Sequence, residues 1–212
     1  MKYKHIVFDV DGTLLDTEKA VLSSFQDVLY EVRGKRVPVE ELRFALGITG
    51  EDALKQIEMD NPIVVLRRWE ELLRQYADTV SVYDGIAELA AALTEGGCRL
   101  GIVTSRTRAE FDHDFGEFDI DRYFGVTVCA DDTTQHKPAA DPLLKYMELT
   151  GAGREEVLYI GDSVYDSKCA ENAGVDFALA VWGSHTEKTR ADYYLRQPME
   201  LLKYQLPEGR EH

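Results

Sequence analysis

The chain contains several short runs of apolar and β-branched residues that polar residues do not interrupt at every second position. A strand with one face in water alternates apolar and polar side chains, whereas a strand covered on both faces does not. The runs therefore predict buried strands of a parallel sheet. They cover residues 5–10, 99–104, 126–130, 157–161 and 176–181.

Segments with a helical spacing of apolar residues separate most of these predicted strands. They cover residues 85–95, 108–115, 142–150 and 165–173. Glycines, which are typical of helix ends, follow three of them at Gly96, Gly151 and Gly174. The alternation of strand and helix predicts an α/β fold with a doubly wound, Rossmann-like parallel sheet.

Residues 16–83 break this alternation, and no segment among them is convincing as a strand. Two long helical patterns dominate, the second of which begins at Pro62. The apolar face of the first pattern consists of Val21, Phe25, Val28, Leu29 and Val32. We therefore predict an α/β catalytic core from residues 1–15 and 84–212, with an all-helical cap domain inserted at 16–83. An insert at the carboxyl end of a parallel strand would cover a ligand site as a lid.

Composition narrows the classes of partner. The chain of 212 residues has a formal net charge of −15 and no basic tract, which argues against binding to nucleic acid or to an anionic membrane surface. An anionic substrate would need a local positive centre, either a metal ion or a placed Lys or Arg. The three cysteines are widely spaced, which predicts buried free thiols rather than a zinc site. Without a signal peptide or an apolar run long enough to span a bilayer, the sequence predicts a cytoplasmic protein.

The first predicted strand ends on two acids, Asp9 and Asp11, which Gly12 and Thr13 follow. Side chains two residues apart on an extended strand point the same way, so two negative charges would crowd together. Such a pair is costly unless one member is protonated or a cation lies beside them. The pattern therefore indicates a metal ion, a nucleophile and a proton carrier in one place.

Three further segments near predicted strand ends carry the polar groups that phosphoryl transfer requires. They contain Thr104 with Ser105, then Lys137, then Asp162 with Asp166. Each of these alone is commonly a helix cap, a turn or a solvated surface residue. Their joint occurrence at four strand ends favours a shared site.

The set fits a reaction through a phosphorylated carboxylate. Such a carboxylate would attack phosphorus, and Asp9 with Asp162 can supply two oxygen ligands to Mg²⁺. A hydroxyl of the pair 104–105 and the ammonium group of Lys137 can hold the phosphoryl oxygens. Asp11, two residues from Asp9, is placed to protonate the leaving group and then to deprotonate the attacking water.

These motifs resemble those of the haloacid dehalogenase superfamily, in its phosphoglycolate phosphatase-like branch. The resemblance spans residues 4–182 and keeps the order of the motifs. The four motifs are Asp9–Thr13, Thr104, Lys137 and Gly161–Asp166. By the same resemblance, residues 16–83 are similar to the helical cap of the first type in this superfamily.

The resemblance implies a role for each residue. Asp9 would be the nucleophile and a Mg²⁺ ligand, and Asp11 the general acid/base that also lends its backbone carbonyl to the metal. Asp162 would be a direct ligand, and Asp166 a ligand through water or an anchor beside the ligands. Thr104 and Lys137 would bind the phosphoryl group, and the backbone N–H of Ser105 would assist them.

Two residues bear on the substrate. Displacement of a halide needs no protonated leaving group, so the presence of Asp11 favours phosphate esters or anhydrides over haloacids. Relatives of the β-phosphoglucomutase type carry an Arg in the cap where this chain has Gly50, which disfavours a mutase. We predict a Mg²⁺-dependent phosphatase for a small phosphorylated metabolite, such as a phosphoglycolate-like ester, a sugar phosphate or a nucleotide. A mutase and a pyrophosphatase are the alternatives, and a non-enzymatic phosphate-binding regulator is disfavoured.

Overall fold

The computed structural model describes residues 2–186 and 189–205. Its main sheet has six parallel strands in the order β5-β4-β1-β6-β7-β8, and β2 and β3 form a separate antiparallel ribbon. The strands are β1 His5–Phe8, β2 Leu15–Asp16, β3 Ser81–Val82, β4 Arg99–Val103, β5 Phe124–Val128, β6 Val157–Gly161, β7 Asp176–Ala180 and β8 Tyr193–Leu195.

The predicted α/β fold is confirmed, and all five predicted strands lie in the sheet. Their ends differ from the prediction by at most two residues. β8 was not predicted, because it is a three-residue edge strand with Tyr194 half exposed. The expectation that residues 16–83 contain no strand is wrong at both ends of that range, since Leu15 pairs with Val82 and Asp16 with Ser81. Two residues are too few to show a strand periodicity.

Nine α-helices surround or extend from the sheet in the described part of the chain. The four predicted core helices are α5 to α8, with ends shifted by at most one residue. The helices are α1 Glu18–Arg33, α2 Val39–Leu42, α3 Gly50–Gln56, α4 Pro62–Leu73, α5 Ile86–Glu95, α6 Arg108–Asp114, α7 Asp141–Thr150, α8 Val164–Ala173 and α9 Leu201–Gln205. Short 3₁₀ turns connect several of them.

The sheet is buried on both faces. Ile6 and Phe8 of β1 belong to the apolar cluster that includes Leu89 of α5, whereas Val7 belongs to the cluster that includes Tyr146 of α7. Alternate residues of one strand therefore contact opposite layers of helices. This double burial is the physical reason for the uninterrupted apolar runs.

A third apolar cluster lies entirely between residues 21 and 72, where α1 packs against α4. Phe25 stacks on Trp69 with 4.1 Å between ring centroids, and the indole N–H of Trp69 donates to the Ser24 hydroxyl at 2.9 Å. Val32 was predicted on the buried face of α1, but it lies in the last turn and its side chain is exposed. The division into core and cap at residues 15/16 and 83/84 stays a prediction.

The sequence-based expectation for the cysteines is confirmed, since Cys98, Cys129 and Cys169 are buried and free. Among the described residues, no helix combines the length and the apolar character needed to cross a lipid bilayer.

We predict that Gly101→Ala destabilises the fold by about 1–3 kcal/mol, because the core around β4 is already filled. A Cβ at Gly101 would lie 2.2 Å from a ring carbon of Tyr146, whose side chain is fully buried. Urea denaturation of the wild type and the variant measures the difference.

Gly125→Ala is the matched control on the neighbouring strand β5, where a Cβ meets no atom of the described chain within 4 Å. Its effect on the free energy of unfolding should stay within about 0.5 kcal/mol. Equal losses in the two variants would contradict the packing argument.

Candidate active site

The carboxyl ends of two neighbouring strands bring three acids together. Asp9 follows β1 and Asp162 follows β6, and these two strands are paired in parallel. Asp166 lies in the first turn of α8. Each of the three residues offers a carboxylate oxygen, these oxygens lie within 4.8 Å of one another, and all three residues are buried.

Lys137 lies between two of these acids. Its ammonium group is 2.8 Å from Asp9 Oδ1 and 2.8 Å from Asp166 Oδ1, and its side chain is 1% exposed. Burial alone lowers the pKa of a lysine, but the charges of Asp166 and Asp9 outweigh it and raise the pKa of Lys137 above its ordinary value. Lys137 is therefore a fixed positive charge at the centre of the cluster.

Asp166 uses both of its oxygens to hold its neighbours. Oδ1 accepts hydrogen bonds from Lys137 and from the Tyr159 hydroxyl, each at 2.8 Å. Oδ2 accepts from the backbone N–H and the hydroxyl of Ser163. This geometry makes Asp166 an anchor for the ammonium group of Lys137.

The negative charge of the three acids exceeds the positive charge of Lys137, and such an excess favours the binding of a cation. Burial, together with the charges of Asp166 and Asp11, raises the pKa of Asp9 to about 7 despite the opposing charge of Lys137. Burial and the charges of Asp166 and Asp9 likewise raise the pKa of Asp162. Among the described residues, buried Asp9 Oδ2 has no hydrogen-bond partner.

Close approach of the backbone adds to this arrangement. Gly12 has φ +76°, and a Cβ at this position would lie 2.4 Å from Asp162 Oδ2. The orphaned oxygen of Asp9, the neighbouring carboxylate of Asp162 and the compact loop at Gly12 fit a small, hard cation that prefers oxygen ligands. The three acids form a group that can hold a metal ion.

Asp11 has a different partner from Asp9. The guanidinium group of Arg106 contacts both carboxylate oxygens of Asp11, with Nε 2.9 Å from Oδ2 and an Nη 2.8 Å from Oδ1. Burial alone would raise the pKa of Asp11, but the charge and hydrogen bonds of Arg106 leave this pKa below its ordinary value. Asp11 is therefore held as a carboxylate in this conformation.

The two hydroxyl side chains that follow β4, Thr104 and Ser105, have different hydrogen-bond partners. Thr104 is buried, and its Oγ1 accepts a hydrogen bond from the backbone N–H of Arg106 at 3.2 Å. The hydroxyl of Ser105 donates to the carbonyl of Gly47 at 3.0 Å. Ser105 thus connects the strand end to the loop between α2 and α3.

A cavity of about 90 Å³ lies above this strand end. Its polar floor is formed by Asp9, Asp11, Ser105 and Arg106. Its opposite wall, which residues 21–73 supply, is mainly apolar and consists of Val21, Ala45, Leu46, Gly47, Ile48, Gly50, Leu66, Trp69, Glu70 and Leu73. Glu110 of α6 completes the lining.

The family model of the haloacid dehalogenase-like hydrolases matches residues 6–180, which include every residue of this site. The chain belongs to the haloacid dehalogenase-like hydrolases. The predicted superfamily is thereby confirmed, and with it the prediction of a hydrolytic enzyme.

Individual relatives of this hydrolase agree with that assignment. A protein of Caldanaerobacter subterraneus subsp. tengcongensis, provisionally named pyrophosphatase PpaX, is 32% identical over 208 residues, covering 96% of this chain and 94% of the relative. Pyrophosphatase PpaX of Bacillus cereus is 28% identical over 207 residues, covering 95% and 96% of the two chains. A crystal structure from Lactobacillus plantarum, provisionally named phosphoglycolate phosphatase, has a TM-score of 0.88 at 30% identity and covers 96% of this chain and 99% of its own.

Sequence reasoning missed two residues of the hydrolase site. Arg106 directly follows Thr104 and Ser105. It could have been found from the argument that an acidic chain needs a local cation to bind an anionic substrate. Tyr159 lies inside the buried strand β6, where its pattern is that of a core residue. Nothing in the sequence distinguishes its hydroxyl, which donates to Asp166, from an ordinary core tyrosine.

We predict that Mg²⁺ raises the melting temperature of the wild-type hydrolase by roughly 5 °C or more at saturation, because a ligand of the folded state stabilises it. Asp162→Asn should raise the melting temperature without metal, since it removes one of several crowded buried charges. The same variant should cut the Mg²⁺-dependent shift to less than about half, because one oxygen ligand loses its charge. Thermal denaturation with EDTA and with MgCl₂ measures both effects.

Asp78→Asn provides the control, since it makes the same change of charge at an exposed position. It should keep both the melting temperature and the Mg²⁺ response of the wild type. A full Mg²⁺ response in Asp162→Asn would count against the three-acid metal site.

Proposed function

We propose that this hydrolase is a Mg²⁺-dependent phosphatase that cleaves a small phosphate ester or anhydride through an aspartyl-phosphate on Asp9. The observation that supports the proposal is how the two oxygens of the Asp9 carboxylate are bonded at the floor of the cavity. Lys137 fixes its Oδ1, while its Oδ2 has no hydrogen-bond partner among the described residues. A carboxylate oriented in this way is suited to attack phosphorus.

Asp9, Asp162 and the backbone carbonyl of Asp11 are the proposed ligands of Mg²⁺. When bound, the metal would offset the negative charge that the nucleophile and the phosphoryl group bring together. Asp166, with its four hydrogen bonds, anchors Lys137 beside these ligands.

Lys137, the hydroxyl of Thr104 and the backbone N–H of Ser105 are the proposed contacts of the phosphoryl oxygens. The ammonium group stabilises charge that shifts onto those oxygens during transfer. The hydroxyl of Ser105 serves instead to hold Gly47 at the roof of the cavity. In this proposal residues 16–83 are the cap domain that closes over a small phosphorylated metabolite in the cytoplasm.

Asp11 is the proposed general acid and base. The leaving oxygen needs a proton in the first step, and the water that hydrolyses the phosphorylated Asp9 must lose one in the second. One carboxyl group two residues from the nucleophile can serve both steps in turn. The pairing of Asp11 with Arg106 has to be released for this role.

The cap disfavours the sugar-phosphate mutase. A Cβ at Gly50 would lie 2.7 Å from Leu66 and 3.4 Å from the Trp69 ring, so the position that is Arg in those mutases is packed by apolar side chains here. Arg43 pairs with Glu18, and Lys55 pairs with acids of its own helix. Neither cation lines the cavity.

Pyrophosphate is the second candidate substrate. The observation that favours it is the name of the relative that is 32% identical over almost the whole chain, a pyrophosphatase. Pyrophosphate and a small phosphate ester use the same attack on phosphorus and differ in the leaving group alone.

We predict that Asp9→Asn abolishes phosphate release from pyrophosphate and from small phosphate esters, because an amide is a poor nucleophile. Asp11→Asn should lower kcat by roughly 10²–10⁴-fold. With p-nitrophenyl phosphate, Asp11→Asn should slow the hydrolysis of the aspartyl-phosphate and not its formation, since nitrophenolate leaves without a proton. A burst of nitrophenol equal to the enzyme concentration, measured in a stopped-flow instrument, would report the trapped aspartyl-phosphate.

Asp60→Asn, an exposed substitution of the same kind, should retain wild-type rates. Activity that survives EDTA, or full activity in Asp9→Asn, would rule out the proposed mechanism. Conversion of glucose 1-phosphate to the 6-phosphate without release of phosphate would favour the mutase instead.

A further inference from the structure

The clamp between Arg106 and Asp11 lies on the floor of the cavity, together with the proposed nucleophile Asp9. The guanidinium group meets both oxygens of the carboxylate at 2.8–2.9 Å. The side chains are 11% and 20% exposed, so the pair is largely withdrawn from water. A planar guanidinium fork matches a carboxylate or a phosphate equally well in geometry.

The clamp conflicts with the role of Asp11 in the proposed reaction. Both oxygens of Asp11 accept hydrogen bonds from Arg106, which holds the carboxylate against the guanidinium group and leaves fewer acceptor positions for the leaving oxygen or for a water molecule. A second anion within the cavity could take the guanidinium group from Asp11, so that Arg106 would not be left without an anionic partner. Exchange of one anionic partner for another avoids the large cost of an isolated buried charge.

The wall opposite the floor offers no alternative cation. Among the described residues that line the cavity, Arg106 is the one cationic side chain. The nearby Lys137 pairs with Asp9 and Asp166, and its proposed ligand is the transferred phosphoryl group rather than the leaving half. The one ionisable side chain of the cap wall is the acid Glu70, and Glu110 adds another acid beside it.

We infer that Arg106 selects substrates whose leaving half carries its own negative charge, and that this charge draws Arg106 away from Asp11. The inference rests on the proposed function and deepens it. The substrate class is that of small phosphate compounds with an anionic leaving half, such as a second phosphate or a short carboxylate. The cavity of about 90 Å³ suits a small substrate. In the exchange of partners no covalent bond forms or breaks.

The test compares two pairs of substrates whose leaving halves differ in charge. Pyrophosphate is set against methyl phosphate, and 2-phosphoglycolate against 2-hydroxyethyl phosphate. The wild type should favour the anionic member of at least one pair by about 100-fold in kcat/KM, because a neutral leaving half offers Arg106 no anion in exchange for Asp11. Arg106→Gln should reduce that preference to less than about tenfold, because kcat/KM should fall for the anionic substrate and change little for the neutral one.

Two further variants separate recognition from structure. Arg106→Lys keeps the charge without the fork and should retain an intermediate preference. Arg108→Gln removes an arginine two positions along, which pairs with Asp132 and does not line the cavity, and should keep the wild-type preference. Thermal melts establish that each variant is folded.

Binding provides a readout that does not depend on turnover. Isothermal titration in Mg²⁺ compares methylenediphosphonate, which is not hydrolysed, with methylphosphonate. Arg106→Gln should weaken the diphosphonate by about 10–100-fold and change the monophosphonate less than about threefold.

The outcomes distinguish the inference from the proposed function. An equal preference for charged and neutral members in the wild type, or equal losses on both in Arg106→Gln, would overturn the inference while leaving the phosphatase intact. If no substrate is hydrolysed, the proposed function fails. Arg106-dependent binding of the diphosphonate would then still support the anion site, and its absence would refute it.

Discussion

The structure depends on the burial of several carboxylates around one ammonium group. Moving an ion from water into a protein interior costs several kcal/mol unless a partner compensates for it. Lys137 lies within 2.8 Å of two acids and is almost fully enclosed. The cluster is thus stable only while each charge keeps its geometry, and this requirement governs the strands, loops and helix turn that supply the residues. The parallel sheet satisfies it, because the carboxyl ends of β1 and β6 are fixed side by side by backbone hydrogen bonds.

Charge also explains how the two halves of the cavity differ. The core half concentrates the ionic groups, whereas the half from residues 21–73 is mainly apolar. An apolar wall offers water no hydrogen-bond partner, and a less hydrated cavity strengthens each electrostatic contact on the floor. In the proposed reaction, a site with this asymmetry would bind the reacting group through the core, and side chains such as Trp69 and Ile48 would shape the other half of the cavity.

Much of the fold could be predicted from the sequence, since fully buried strands leave uninterrupted apolar runs. The residues most useful for predicting the site were Asp9, Asp11 and Asp162. Carboxylates at buried strand ends cost free energy unless a cation or a proton compensates for their charge. Arg106 could not be paired with Asp11 in advance, because 95 positions separate them along the chain. They meet only because β4 lies beside β1 in the sheet. The ribbon of β2 and β3 escaped prediction for another reason, since two-residue strands carry no periodic signal.

The contact between Ser105 and Gly47 has a consequence for how this enzyme can diversify. The acceptor is the backbone carbonyl of Gly47, so the contact uses no side chain of the roof, although the φ of +82° and the approach to Ser163 require a glycine at position 47. Side chains elsewhere in the roof can be exchanged without loss of the acceptor that joins roof to floor. Substitutions of these side chains can therefore change what the cavity accepts while the contact between roof and floor persists.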